Sequence, residues 1–289
     1  YWSQSDQARN VSGQLVNVAF VIWRESVEAL LVIGILSAWL ARSGDQGGRG
    51  RIYLWSGVGT GLLLSVLLGL LLVWFGESVP EETQQLYQTV AIFIAAALII
   101  QMVFWMRTRG GTLKRDLETS LTDAAARNHW WSVFLLALIA VAREGSETVV
   151  FLYGVLAATR MDTVLATMAF AALGFILALG TYSLLLLGSR IFSWRVFFKV
   201  TEIMLLFLAA SLLVSGVDNL VSLGYVPALS GRLWDTSAIL PDSGPVGGLV
   251  GALTGYRARP DLIQILVLAI YWGLMSWALF SYRGAAKSA

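Results

Sequence analysis

Of 289 residues, 57% are hydrophobic and 13% charged, the mean hydropathy is +0.72 and the formal net charge +2, a balance far too apolar for a soluble domain. There is no cysteine, which excludes disulfides and thiolate metal ligands together and leaves oxygen donors for any metal chemistry. Runs such as Gly61 to Trp74 are continuously apolar rather than alternating, so a β-barrel is excluded and the fold class is an all-α polytopic membrane protein.

In chain order, residues 1–14 are polar without a basic n-region. They are therefore not themselves a signal peptide and read as an extracytoplasmic N-terminal segment. A transmembrane domain over 15–283 follows, with seven spans predicted near 15–41, 52–75, 86–107, 131–158, 163–188, 196–216 and 262–282, and an outer loop over 217–261. Basic residues gather between spans one and two (Arg42, Arg49, Arg51), three and four (Arg107 to Arg127), five and six (Arg190, Arg195, Lys199) and after span seven (Arg283, Lys287). That asymmetry predicts an integral cell-membrane protein with its N-terminus outside and its C-terminus cytoplasmic. The stretch from Arg107 to Arg127 reads as a face toward anionic membrane lipid, with no nucleic-acid partner. Seven tryptophans at span ends, Trp39, Trp55, Trp74, Trp105, Trp130, Trp131 and Trp194, read as an interfacial belt. Trp23 lies deep beside Arg24, where it reads as filler rather than a cover for the guanidinium.

The chemistry concentrates in span one, at Arg24-Glu25-Ser26-Val27-Glu28. On a helix Glu25 and Glu28 lie about 60° apart and Arg24 one turn before Glu28, so the three share an arc of roughly 100°. Span four repeats the pattern as Arg143-Glu144-Gly145-Ser146-Glu147. Six such charges facing lipid would cost very roughly 15 to 20 kcal/mol, so they face protein or water. Four carboxylates against two guanidiniums leave a surplus of two negative charges, more than a structural clamp needs, and the surplus asks for a cation. The expected metal ligands are Glu25, Glu28, Glu144 and Glu147, with Arg24 and Arg143 as supporting charge.

The pentads lie 119 positions and three spans apart, so the second copy enters the membrane in the opposite direction. Residues 15–107 and 131–216 are thus predicted to be inverted repeats, with helix seven (262–282) added, crossing near the midplane so that the four glutamates meet. Gly34, Gly145, Gly154 and Gly174 are candidates for close helix approach.

A doubled R-E-x-x-E in helices one and four of seven resembles the oxidase-dependent iron permease family of fungi and bacteria. The resemblance extends to Phe197-Phe198-Lys199-Val200-Thr201 at the start of span six. It continues through Pro227, Trp234-Asp235, Ser237, Leu240, Gly247, Leu253, Gly255-Tyr256 and Pro260. It implies a high-affinity permease moving iron inward, fed by an extracytoplasmic ferroxidase or iron-delivery protein, with the pentad glutamates as ligands. Iron would be substrate, with no permanently bound cofactor and no enzymatic activity. Two features depart from the family pattern: the polar N-terminal segment, and Glu202 where many members resemble Thr-Gly.

Glu202 is a seventh intramembrane charge and needs a partner. Lys199 or a neighbouring arginine would make it structural, whereas a place on the inner path would make it an exit relay for the cation or a proton. Outside the spans, Glu77, Glu81 and Glu82 read as loop solvation, while Asp218, Asp235 and Asp242 stay open between solvation, cation recruitment and partner docking. The sole histidine, His129, lies in a basic inner link, which leaves haem and di-iron chemistry without membrane ligands. The competing readings are a permease or proton-coupled exporter for another cation, and a non-transporting membrane anchor subunit of an oxidoreductase.

Overall fold

A computed structural model describes residues 4–42, 47–109, 119, 130–157, 164–186, 194–227, 229, 231, 233–241 and 245–285. Among them the chain is all helix and loop: α1 (Gln4–Arg42), α2 (Gly47–Ser78), α3 (Glu81–Arg109), α4 (Trp131–Ala157), α5 (Val164–Leu186), α6 (Trp194–Ser222), α7 (Pro245–Thr254) and α8 (Leu262–Ala285). His129 and Asp242 lie outside the described residues. Five helices contain stretches long and apolar enough to cross a membrane: Arg49–Ser78, Thr83–Arg107, Leu165–Leu186, Phe197–Ser222 and Leu262–Ser281. The pentad helices α1 and α4 stand apart because each carries three formal charges at mid-length; every 18-residue stretch of α4 contains Arg143, Glu144 and Glu147.

Helices α3 and α6 pack against each other at the centre, with 44% and 56% of their apolar stretches buried, against 17% for each of α2 and α5. The outer faces of α2 and α5 carry Leu63, Leu67, Leu70, Leu173 and Ile176, all exposed, as lipid contact requires. Each peripheral helix leans on a pentad helix: α5 on α1, and α2 on α4. Small residues permit both crossings, because packing in lipid depends on close backbone approach. A Cβ on Gly174 would lie 2.4 Å from the Ala19 carbonyl oxygen, and one on Gly57 would lie 2.5 Å from that of Phe134. The other glycines singled out in the sequence are equally tight, Gly34 against Tyr182, Gly145 against Ser65 and Gly154 against Ala95.

The main core joins α1, α3, α4, α6 and α8 through Phe20, Ile92, Ile99, Phe151, Leu205, Leu208 and Tyr271. Tyr271 is tied to α6 by a hydrogen bond from its hydroxyl to the Leu206 carbonyl (2.7 Å). A second cluster joins α1, α2 and α4 through Leu36, Leu40, Leu54, Val133 and Ala137.

Three elements depart most from the predicted map, and the first is α1, which begins at Gln4 rather than near 15. Helix α6 continues to Ser222 instead of ending near 216, because Asp218 and Asn219 lie beyond the apolar stretch and still sustain the turn. It stops at Gly224 (φ 76°), where Tyr225 N–H reaches back to the Leu220 carbonyl (3.1 Å). The link between α6 and α8 also contains α7, ten residues that start at Pro245 and stop before Gly255 (φ 75°), whose N–H caps the Gly251 carbonyl (2.9 Å). It packs on α1 and α6, held by Asn17 Nδ2 donating to the Ala252 carbonyl (3.1 Å).

Candidate metal centre

The first pentad folds on itself. Arg24 Nη1 donates to Glu25 Oε1 (2.5 Å) and Nη2 to Glu28 Oε1 (2.6 Å), the latter the i,i+4 pair that the helix repeat dictates. All three side chains are buried, and Arg24 is wholly so. The sulfurs of Met102 and Met106 on α3 accept further bonds from Nη1 and Nη2, at 2.8 and 2.9 Å. A guanidinium out of reach of water is tolerable here because two carboxylates and two polarisable sulfurs surround it.

The second pentad repeats one bond and changes the surroundings. Arg143 Nε donates to Glu147 Oε1 (2.9 Å), again i,i+4, while its guanidinium carbon lies 3.8 Å from the centre of the Trp105 ring. Trp105 is therefore a cation–π seat in the protein interior, not only a belt residue as its position near a span end suggested. The ring expected beside Arg24, that of Trp23, turns away. Its Nε1–H donates to Thr181 Oγ1 (2.9 Å) and its rings pack on Phe20 and Phe197.

Between the helices, Glu25, Glu144 and Glu147 each present a carboxylate oxygen within 4.8 Å of the other two. Oε2 of all three is buried without a hydrogen-bond partner. An unpaired buried carboxylate oxygen is costly, and three converging ones suit a cation that would satisfy them together. Three oxygens spread evenly at 2.0 to 2.1 Å around a small hard ion lie about 3.5 Å apart, so a contraction of up to about 1.3 Å would close the set. Glu28 is not one of the three; its Oε1 accepts from Arg24, just as one oxygen of Glu25 and one of Glu147 accept from an arginine.

A cavity of about 210 Å³ reaches this cluster, lined by Leu98, Gln101, Met102, Trp105, Arg143 and Glu147. Sequence reasoning passed over the α3 lining. Its one signal was Gln101, the only polar uncharged side chain between Thr89 and Arg107.

Three further carboxylates pair locally. Glu202, half-buried on α6, is bound by Arg107 of α3, the neighbouring arginine rather than Lys199. Asp218 accepts from Arg257 (3.4 Å) and from Gln264 (2.7 Å). Asp235 accepts from the Ser237 hydroxyl (2.5 Å), the Ser237 N–H (2.9 Å) and Arg259 (3.0 Å), which together lower its pKa to about 2. Both aspartates have structural partners, and Glu77 is exposed in the last turn of α2 rather than in a loop.

Fold and site together define an integral, all-helical membrane protein with a charged, partly unsatisfied carboxylate cluster in its interior. The chain belongs to the iron permease FTR1 family, whose model matches residues 15–285. It is similar to the ferrous iron permease EfeU of Shigella sonnei and to that of Escherichia coli O157:H7, each 30% identical over 272 residues covering 93% of this chain and 97% of the relative. The ferrous iron permease EfeU of Yersinia pestis is 27% identical over 253 residues, covering 87% of this chain and 88% of the relative. These proteins are permeases rather than enzymes. No solved structure is significantly similar to the chain.

Proposed function

We propose that this protein carries iron inward across the membrane and that Glu25, Glu144 and Glu147 hold the ion in transit. The observation behind this reading is the convergence of three carboxylates from two different helices, each with a buried, unsatisfied oxygen. Glu28 serves as the fourth ligand once the ion displaces Arg24 from it. Carboxylates are hard oxygen donors and suit hard cations, ferric iron above all, while the relatives carry the name of ferrous iron permeases. Ferroxidase delivery from the outer side agrees with the family resemblance of the pentads.

The transport architecture is a seven-span bundle of two inverted three-helix repeats, α1–α3 and α4–α6, with α8 added. The reciprocal bracing of α5 on α1 and α2 on α4 and the equal exposure of α2 and α5 support it. Such a fold alternates access by rocking one repeat against the other about a site at their crossing. The N-terminus lies outside and the C-terminus inside, and the Arg107–Glu202 pair marks the inner end of the α3–α6 contact.

Uptake of radioactive iron by the purified protein in liposomes tests the reading. Wild type should accumulate iron, and Glu144→Gln, which keeps the volume but loses the charge, should reduce accumulation to the level of empty liposomes. Undiminished uptake by Glu144→Gln would remove the carboxylate site from the path.

A further inference from the structure

The two pentads match in sequence and differ in access. The side chains of Arg24 and Glu28 are 0% and 9% exposed, whereas those of the equivalent Arg143 and Glu147 are 33% and 15% exposed. Met102 and Met106 close the first side. On the second side lies the cavity of about 210 Å³ bounded by Leu98, Gln101, Met102 and Trp105 of α3 and by Arg143 and Glu147 of α4. Glu147 belongs both to the cavity wall and to the carboxylate trio. Six waters occupy roughly 180 Å³ at about 30 Å³ each, so the cavity admits a cation with its first hydration shell.

The geometry points to this cavity as the passage by which the cation moves between water and the carboxylate trio, with Gln101 its oxygen donor and Trp105 a positioning residue that seats Arg143 at its edge. The inference rests on the carboxylate reading above and adds the route and two residues to it. A passing cation must get by a positive guanidinium. The negative face of the Trp105 ring, 3.8 Å from that guanidinium, offsets part of its field and fixes where it rests. So held, Arg143 donates Nε to Oε1 of Glu147 and leaves Oε2 free for the cation. Gln101 is exposed, and its amide oxygen offers a hard donor without net charge, which lets an ion exchange waters without being trapped.

Because the chain lacks cysteine, a single introduced thiol reports on the passage alone. Purified Gln101→Cys and Leu98→Cys are modified in detergent with a trimethylammonium methanethiosulfonate, reconstituted, and assayed with radioactive iron supplied as ferrous ascorbate and as ferric citrate. Modification should lower uptake about tenfold or more relative to the unmodified sample of the same variant, an added barrier of at least about 1.4 kcal/mol. Modified Ser78→Cys, at the exposed end of α2, should transport as its unmodified sample does. If modified Gln101→Cys and Leu98→Cys both transport at their unmodified rates, the passage is elsewhere. Glu144→Gln in the same assay separates the two ideas: transport by Glu144→Gln beside a blocked Gln101→Cys would sink the carboxylate site and keep the passage. For the seat, Trp105→Leu should depress uptake while Trp105→Phe, which keeps an aromatic face, restores most of it. Equal uptake by Trp105→Leu, Trp105→Phe and wild type would remove Trp105 from the role.

Discussion

Arg24 and Arg143 hold equivalent places in two copies of one motif, yet removing them should have unequal consequences. Arg24 has no exposure and its two hydrogen-bonded carboxylates are buried, so Arg24→Ala strands uncompensated charge in the interior. We expect a loss of about 3 to 5 kcal/mol, read as a large fall in the thermal unfolding temperature of the detergent-solubilised protein. Arg143 is a third exposed and keeps water as an alternative partner, so Arg143→Ala should unfold much closer to wild type while transporting poorly. Equal destabilisation by both substitutions would contradict this account of the asymmetry. Glu28 shows what one sequence does not disclose: the helix repeat pairs it with Arg24, but only the assembled structure shows Glu25, Glu144 and Glu147 converging without it. Trp105 was hidden for a similar reason, since an aromatic near a span end is stable at the interface whether or not a cation from another helix rests on it.

At the scale of elements, the pentads were legible because charge within an apolar run has so few stable explanations. The short α7 was not, since ten residues including Pro245, Gly247, Gly248 and Gly251 carry no strong helix signal and owe their structure to packing on α1 and α6. The glycine crossings make a direct prediction. Gly174→Val places a branched side chain where even a Cβ would lie 2.4 Å from the Ala19 carbonyl oxygen, so α5 must move off α1. The cost should be about 1 to 3 kcal/mol in thermal stability, against little change for Gly180→Val, whose Cβ would meet nothing within 4 Å. Indistinguishable melting of the two variants would mean that α5 does not depend on this approach. Glu202 belongs to the same scale because its partner, Arg107, joins α6 to α3. Glu202→Gln that lowers thermal stability with uptake intact leaves a purely structural pair, whereas slowed uptake with unchanged iron affinity supports an exit relay.

Across the whole molecule, apolar runs gave the long helices, and the 119-residue spacing of the pentads gave the expectation of inverted repeats. Orientation rests on the basic links, and Ser78→Cys should accordingly react with an impermeant thiol reagent from outside intact cells while Thr112→Cys, in the link after α3, should not. Reaction of Thr112→Cys from outside would reverse the topology. The outer loop adds a pH dependence of its own. The ordinary carboxylate pKa of Asp235 is 3.8, and its folded value is lowered to about 2 by Ser237 first and Arg259 after it. A lowered folded pKa contributes stability above about 4 that is lost as the pH falls toward about 2. Asp235→Asn should therefore differ from wild type in thermal stability at neutral pH, modestly because the group is exposed, and the difference should vanish over that interval. A difference that persists unchanged at pH 2 would mean that the Asp235 charge is not its source.

The central claim is that carboxylates from both pentads hold the transported ion, and equilibrium binding of radioactive iron to the purified protein tests it without requiring transport. Wild type should bind a single iron ion per chain. Glu25→Gln, Glu144→Gln and Glu147→Gln should each weaken binding by more than about 100-fold, beyond the effect of losing an outer partner of a ligand, while retaining their helical content. Folded variants that bind iron as tightly as wild type would contradict the account.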